Sequence, residues 1–186
     1  MQIEVTTWYL EMLDPAQLRP KLSEHPHLEI RQAEVPCPEL SRFLYASVGG
    51  QWYWCDRLPW SRDRWLTYLN RPQVETWIAY ISGTPAGYIE LEEHPQGDVE
   101  ITCFGLLPQF IGQGIGGHLL TVGIQRAWNW GANRVWVHTC SLDGPFAYKN
   151  YESRGFTRYD TKVAIEDLPD SPPGPWPNSN ISLPAS

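Results

Sequence analysis

The stretch LLPQFIGQGIGGHLL, residues 106–120, decides the fold because the periodicity of the chain changes across it. Residues 98–107, before it, alternate between apolar and polar side chains, as a strand with one buried face does. Residues 114–130, after it, are apolar around most of a helical circumference, which is typical of a buried helix. A strand, a glycine-rich turn and a buried helix in this order predict a domain with both sheet and helices.

Four glycines stand at the start of this helix: Gly112, Gly114, Gly116 and Gly117. Because glycine has no Cβ atom, the backbone N–H groups here can approach an anion without a side chain in the way. The dipole of the helix adds partial positive charge at the same place. We therefore expect a phosphate or pyrophosphate site at this turn. The alternative is a turn whose glycines only let the helix pack closely on the sheet.

The same glycines also fit, by letter, the G-x-G-x-x-G pattern of dinucleotide-binding domains. In those domains the helix follows the strand in a tight turn, and the next strand ends near an acidic residue. Here residues 108–111 separate the strand from Gly112, and the next strand ends at Cys140 without an acid. A Walker loop is excluded because no Gly-Lys-Ser/Thr follows. A nicotinamide-dependent enzyme is therefore disfavoured.

The remaining segments predict a mixed sheet with helices on its faces. In chain order the patterns predict strands at 3–12, 28–35, 76–81, 86–92, 98–107, 134–140 and 156–165, and helices at 38–48, 61–70, 114–130 and 143–154. We divide the chain into an N-terminal strand and connection packed on the domain (1–27), the main domain (28–167), and an irregular tail rich in Pro and Ser (168–186).

The overall charge and composition exclude several classes of function. The formal net charge is −7 and no basic stripe is present, so nucleic-acid binding is not expected. No segment reaches the roughly 20 apolar residues of a membrane span. The N-terminus lacks the pattern of a signal peptide, so we expect a cytoplasmic protein. The four cysteines are not spaced as metal ligands, and we expect no metal.

Two motifs, in order, resemble signatures of the GNAT superfamily of N-acetyltransferases. Residues 106–120 resemble its acetyl-CoA pyrophosphate loop, Arg/Gln-x-x-Gly-x-Gly/Ala, with Gly114 and Gly116 at the two small positions. Ile111 stands where that loop usually has Arg or Gln. Downstream, Ala147-x-x-x-Tyr151-x-x-x-Gly155-Phe156 is similar to the second signature of the superfamily. The resemblance covers about a third of the chain.

This resemblance implies a mostly antiparallel central sheet flanked by helices on both faces, and acetyl-CoA as the co-substrate. It implies direct acetyl transfer, in a ternary complex, to a primary amine of a small molecule or peptide, and we also allow for a homodimer. A non-catalytic module that senses acyl-CoA is the alternative. The residues expected along the co-substrate are Leu106, Leu107, Pro108, Ile111, Gly112, Gln113, Gly114, Ile115, Gly116 and Gly117.

The resemblance also implies catalytic residues. An amine must lose a proton before it attacks a thioester, and Glu100, on the polar face of the strand that enters the loop, is the first candidate for the base. A solvated Glu on a strand face is the alternative, and Glu90, Glu92 and His138 are further candidates for the base.

A second catalytic task is to stabilise the departing thiolate. The second signature assigns this task to Tyr151, and Tyr148, one helical turn earlier, is the alternative. A β-bulge at residues 104–106, where Gly105 interrupts the strand, would supply a backbone N–H to the oxyanion.

The segment QWYWCDRLPWSRDRW, residues 51–65, is expected to form the acceptor side. Its aromatic and acidic residues could enclose a cationic or ring-bearing acceptor by cation–π contacts. The residues proposed for this are Trp52, Trp54, Asp56 and Trp60. Packing in the core is the alternative role for these rings.

Overall fold

Residues 1–176 fold into one seven-stranded sheet with four α-helices. The computed structural model describes residues 1–176. The strands are β1 (Gln2–Met12), β2 (Leu28–Gln32), β3 (Val74–Ile81), β4 (Thr84–Glu93), β5 (Asp98–Leu106), β6 (Arg134–Cys140) and β7 (Thr157–Asp167). The helices are α1 (Pro38–Gly49), α2 (Arg62–Leu69), α3 (Ile115–Asn129) and α4 (Ala147–Ser153).

The strands lie in the order β2-β3-β4-β5-β6-β1-β7. Every neighbouring pair is antiparallel except β5 and β6, which are parallel and are connected through α3. A connection long enough to hold a helix is what a parallel pair requires. The mixed, mostly antiparallel sheet predicted from the sequence is confirmed.

Helices cover both faces of the sheet, as expected. On one face α3 is buried against β4, β5 and β6, and its residues Leu119, Leu120 and Ile124 are fully inaccessible to solvent. Gly123 allows this contact, because a Cβ atom there would lie only 2.3 Å from Cδ1 of Ile89 on β4. On the other face α1 and α2 enclose a second cluster of buried residues.

The N-terminal strand β1 is an interior strand of the sheet. Residues Thr7–Met12 pair with β6, and residues 2–11 pair with β7 on the other side. Its alternate residues Leu10 and Met12 are fully buried in the main core. The described part of the chain gives β7 no neighbour other than β1, and β7 is exposed along its length. Our division of the chain at residues 27 and 167 stays a prediction.

Two other segments bear on the site. Helix α4 begins at Ala147 and not at Asp143, because the Asp143 carboxylate instead accepts hydrogen bonds from Thr139 Oγ1 and from the backbone N–H of Cys140. Residues 168–176, in the segment predicted as an irregular tail, have no regular structure, yet the N–H of Gly174 donates to the carbonyl of Gly50 at 2.9 Å. The rest of that predicted tail, residues 177–186, lies outside the described residues. No helix within residues 1–176 is long and apolar enough to cross a membrane.

Candidate active site

A cavity opens where the two parallel strands stop pairing. Residues 98–101 of β5 pair with residues 134–137 of β6, and the ladder ends there although the strands continue to Leu106 and Cys140. Residues of both strands beyond this point line a cavity of about 1100 Å³. This volume is slightly above the roughly 300–1,000 Å³ of a pocket for one ligand, which leaves room for a cofactor and part of a second ligand.

One end of the cavity is the glycine-rich turn. Gly112 and Gly114 have φ values of +86° and +76°, which favour glycine, and Gly114 is the N-cap of α3. Because glycine offers no capping side chain, the N–H groups of the first turn are left for another acceptor. Gly116 and Gly117, in that turn, line the cavity. The turn therefore has the backbone geometry that the sequence predicts for an anion site.

The ten residues expected along the co-substrate divide into two groups. Five line the cavity: Leu106, Ile111, Gly112, Gly116 and Gly117. The other five do not appear in its lining: Leu107, Pro108, Gln113, Gly114 and Ile115. Leu107 and Ile115 pack into the core, and the Gln113 amide donates to the carbonyl of Gln109. The side chains of this second group stabilise the turn, whereas their backbone atoms determine the course of the chain there.

Four cationic side chains, none of which the sequence analysis identified, also line the cavity: Lys21, Arg57, Lys149 and Arg154. Lys21 belongs to the connection after β1, and Arg154 caps the end of α4. Lys21 and Arg154 reach the glycine turn only because the fold brings them there, and no local sequence pattern predicts this proximity.

Glu100 lies on the cavity wall with its carboxylate between two imidazoles. Its Oε2 atom is 2.8 Å from Nε2 of His94, and its Oε1 atom is 3.7 Å from Nε2 of His138. The Glu100 side chain is 12% exposed, whereas those of His94 and His138 are 34% and 49% exposed. The carboxylate is thus shielded and has a hydrogen-bonded connection to solvent through His94, whereas the distance to His138 is too long for a hydrogen bond. His94 escaped the sequence analysis because it lies in the turn between β4 and β5.

Tyr151 lies in the cavity wall and is 5% exposed. Its ring packs edge-on against Phe104 of β5 and Phe156, with centroids 5.9 and 6.0 Å away. Burial raises the pKa of its hydroxyl well above the usual 10, and the nearby acid Asp143 adds to the effect. Tyr151 is therefore a neutral hydrogen-bond donor throughout the physiological pH range. Tyr148, the alternative, packs against Trp8 and is not part of the lining.

The β-bulge in β5 lies at Thr102, and our prediction of a bulge at residues 104–106 was wrong. The register between β4 and β5 shifts so that Thr102 has no partner, whereas residues 104–106 pair regularly. The Thr102 hydroxyl donates to Oε1 of Glu90 at 2.7 Å. Gly105 has a different reason to be glycine: a Cβ atom there would lie 2.5 Å from Cγ1 of Val48 on α1.

Glu90, a further candidate for the base, is buried, and its Oε1 atom accepts three hydrogen bonds. It is 1% exposed, and besides Thr102 it accepts hydrogen bonds from Arg57 Nη1 and the Tyr68 hydroxyl, both at 2.7 Å. Such a shared, buried carboxylate with its counter-ion is a structural group, because protonating or moving it would leave buried donors unpaired. Glu92, the other acid on β4, lines the cavity but pairs with Arg71 at 2.9 Å.

The Trp-rich segment splits between the cavity and the core. Trp52, Trp54 and Asp56 line the cavity, as proposed. Trp60 does not: its ring lies 5.1 Å from that of Trp65, under the guanidinium of Arg57 at 5.2 Å. The rings around the Arg57 guanidinium are those of Tyr45, Trp60, Trp65 and Tyr68, so only one ring of the proposed acceptor site packs on this internal cation. Within the described residues no group of acidic, His and Cys side chains could hold a metal ion.

These features can be compared with known proteins. The model of the acetyltransferase (GNAT) family matches residues 31–156. The chain belongs to the GNAT family. The matched range ends at Phe156, the last residue of the second signature, and it contains the glycine turn, Glu100 and Tyr151.

Among curated proteins, this GNAT chain is similar to the mycothiol acetyltransferase of Corynebacterium efficiens, with 29% identity over 114 residues. The alignment covers 58% of this chain and 37% of that protein, so the chain spans little more than a third of its relative.

Solved structures share the fold at low identity. A GCN5-related N-acetyltransferase from Sphaerobacter thermophilus superposes with a TM-score of 0.68 at 17% identity, covering 87% of this chain and 50% of that one. An aminoglycoside acetyltransferase from an uncultured soil metagenomic sample, in complex with sisomicin, gives a TM-score of 0.56 at 16% identity, covering 69% and 86%.

Proposed function

We propose that the protein moves the acetyl group of acetyl-CoA to a primary amine of a small molecule or peptide, by direct attack in a ternary complex. The observation that carries this proposal is the single cavity between β5 and β6, which connects the glycine turn with Glu100. A thioester whose phosphates bind at the turn would extend its acetyl group towards Glu100 through this opening.

The charge distribution along the cavity supports two ligands of opposite charge. Lys21 and Arg154 lie at the glycine turn, where the phosphates of coenzyme A would bind. Asp56 and Glu100 line other parts of the same cavity, and within residues 1–176 neither pairs with an arginine or a lysine. An acidic lining attracts an ammonium group, which is the form of a primary amine at neutral pH. We therefore favour acceptors that carry a positive charge.

Glu100 is the proposed base. Glu100 accepts one proton of the bound ammonium group, directly or through water, and the lone pair of the neutral amine then attacks the thioester carbon. The C–S bond breaks, and the second proton that nitrogen loses as the amide forms leaves to solvent. His94, which is hydrogen-bonded to Glu100 at 2.8 Å and partly exposed, then connects Glu100 with solvent, so the proton can leave before the next turnover. Acetyl-CoA and the amine become the amide and coenzyme A, with no other reactant.

Tyr151 is proposed to stabilise the leaving thiolate. Because burial raises the pKa of its hydroxyl above 10, a full proton transfer to a thiolate, whose conjugate thiol has a pKa of about 8.5, would be uphill. The hydroxyl can still donate a hydrogen bond to the sulfur as charge develops there. The thiolate then takes its proton from solvent after the product amide has formed.

The acceptor class is drawn from the relatives and from the site together. The aminoglycoside acetyltransferase and the mycothiol acetyltransferase are both named for small molecules. Trp52 and Asp56 would contact such an acceptor by ring packing and by charge. We therefore rank small polyhydroxylated or cationic amines above peptides.

The proposal is tested by thiol release from acetyl-CoA with aminoglycosides, diamines, amino acids and short peptides as acceptors. The double variant Glu100→Gln/Tyr151→Phe is the impaired control, and Glu24→Gln, an exposed acid outside the cavity, is the matched control. Turnover that depends on the acceptor and is lost only in the double variant supports the proposal. Tight acetyl-CoA binding without turnover with any acceptor would favour the sensing module instead.

A further inference from the structure

Two cations from distant parts of the chain meet over the first turn of α3. A Cβ atom placed on Gly117 would lie 2.7 Å from Nη1 of Arg154 and 2.8 Å from Cδ of Lys21. Both side chains also line the cavity beside Gly112 and Gly116. A glycine at position 117 therefore leaves room for Lys21 and Arg154 beside the first turn of α3. This is the positive end of the helix dipole, so two cations placed here repel each other and the dipole unless an anion binds between them.

Arg154 has no counter-ion. Its Nε atom is buried without a hydrogen-bond partner, and burial lowers the pKa of its guanidinium. Within residues 1–176 neither Arg154 nor Lys21 forms an ion pair. The other partly buried arginines differ, because each is paired with a carboxylate: Arg57 with Glu90, Arg71 with Glu92, Arg126 with Glu75, and Arg134 with Glu11 and Asp98. A partly buried, unpaired guanidinium is unfavourable in a chain with a net charge of −7 unless an anion joins it.

The segment that carries Lys21 is fixed on α3 and α4 by its backbone. The N–H of Lys21 donates to Thr121 Oγ1 at 3.0 Å, and the N–H of Ser23 donates to Nδ1 of His118 at 2.8 Å. The N–H of Arg19, two residues before Lys21, donates to the carbonyl of Arg154 at 2.9 Å. These bonds hold the Lys21 side chain against the glycine turn while its ammonium group stays exposed. We call residues 13–27 the N-terminal arm.

We propose that Lys21 and Arg154 clamp the phosphate end of the acyl-CoA, so that the N-terminal arm is part of the co-substrate site. The clamp selects phosphorylated pantetheine thioesters over unphosphorylated ones, and it rests on the proposed use of acetyl-CoA. Arg154 donates to a phosphate oxygen from Nη1, the atom that lies over Gly117, and Lys21 neutralises the same group from the other side.

The test compares acetyl-CoA with S-acetylpantetheine, which has the same thioester but no phosphate. Lys21→Met and Arg154→Met keep most of the apolar stem and remove the charge, and Arg42→Met, on the exposed part of α1, is the matched control. Each clamp variant raises the KM for acetyl-CoA about tenfold and leaves that for acetylpantetheine within about twofold. Lys21→Arg, which keeps the positive charge, has a KM for acetyl-CoA close to that of the wild type, and Arg42→Met changes neither KM.

Equal increases in KM for both thioesters would show that the two residues only support packing, and unchanged KM values would show that they do not reach the phosphates. Either result overturns the clamp. Calorimetry with adenosine 3′,5′-bisphosphate, which has phosphates but no thioester, separates the clamp from acetyl transfer. Binding that needs Lys21 and Arg154, without turnover of acetyl-CoA, would support the clamp and reject the proposed function. Absence of any binding by the wild-type protein would reject both.

Discussion

The Nε2 atom of His94 lies 2.8 Å from Oε2 of Glu100, at the point where β5 enters the cavity. The other oxygen of that carboxylate faces His138, and both rings flank Trp136, with centroids 5.9 and 6.4 Å from the indole. The hydrogen bond to His94 fixes the orientation of the carboxylate and gives a proton a route to solvent. This arrangement makes Glu100 a better candidate for the base than the buried Glu90, whose Oε1 atom already accepts three hydrogen bonds.

Replacing Glu100 with Gln should lower kcat about a hundredfold, because the amide cannot accept the amine proton. The KM for acetyl-CoA should stay nearly constant, since the glycine turn is untouched. Steady-state kinetics with the best acceptor measure both values. His94→Asn should reduce kcat by a smaller factor and change its pH dependence, as expected of a positioning residue. A Glu100→Gln enzyme with normal kcat would show that the base is elsewhere.

Replacing Tyr151 with Phe should lower kcat about tenfold through loss of the hydrogen bond to the thiolate. Because burial raises the pKa of the Tyr151 hydroxyl, the wild-type protein should keep this donor at alkaline pH, and the tenfold ratio between wild type and variant should be constant from about pH 7 to about pH 9.5. Tyr148→Phe, outside the cavity lining, is the matched control. A ratio that approaches one as pH rises would mean that Tyr151 ionises in this range.

Trp60 and Trp52 should behave in opposite ways when each is replaced by Leu. Trp60 packs with Trp65 and Arg57, so Trp60→Leu should reduce the free energy of unfolding by about 2 kcal/mol and leave the acceptor KM unchanged. Trp52 lines the cavity, so Trp52→Leu should raise the acceptor KM about fivefold with little loss of stability. Urea unfolding and acceptor titrations separate the two effects. A raised acceptor KM in Trp60→Leu would restore our original assignment of that ring.

Glu75 should make the stability of the fold depend on pH in the acid range. Burial opposes ionisation of this carboxyl, but hydrogen bonds from Arg126 and Trp77 outweigh burial and lower its pKa. The stabilisation is therefore present above the pKa of the unfolded state, about 4.3, and is lost as pH falls through the lower pKa of the folded state.

Urea unfolding at several pH values between about 7 and about 3 tests this expectation. Glu75→Gln should be less stable than the wild type near neutral pH, and the difference should shrink as the pH falls. Glu24→Gln, at an exposed site without an ion pair, should follow the wild type at every pH. A difference between Glu75→Gln and wild type that stays constant down to the lowest pH would contradict the assignment.

Local patterns predicted the elements around the glycine turn closely. Strand β6 has the predicted bounds, and α3 differs from the predicted 114–130 by one residue at each end. Both segments are long or strongly periodic, and their ends carry glycine or polar residues that stop them. The mostly antiparallel sheet followed from the resemblance, and the structure confirms it.

The features that the sequence analysis missed depend on contacts between distant residues. The bulge at Thr102 is stabilised by Glu90 from the neighbouring strand, whereas Gly105, which suggested a bulge, is required by Val48 of α1. Likewise Lys21 and Arg154 meet across 133 positions of the chain. Periodicity within a short window predicts which face of an element is buried, but it does not predict which distant residues pack against that face.

Because β1 is an interior strand, it lacks both of its neighbours until the later part of the chain has been synthesised. Residues 2–12 are made before residues 134–140 and 157–167, the two segments that pair with them. At ribosomal speed the interval is on the order of ten seconds, during which a strand bearing Trp8 and Tyr9 has no hydrogen-bonding neighbour. We therefore expect nascent chains of this protein to bind chaperones through this segment until β6 has been synthesised. The sheet is complete only once β7 has followed.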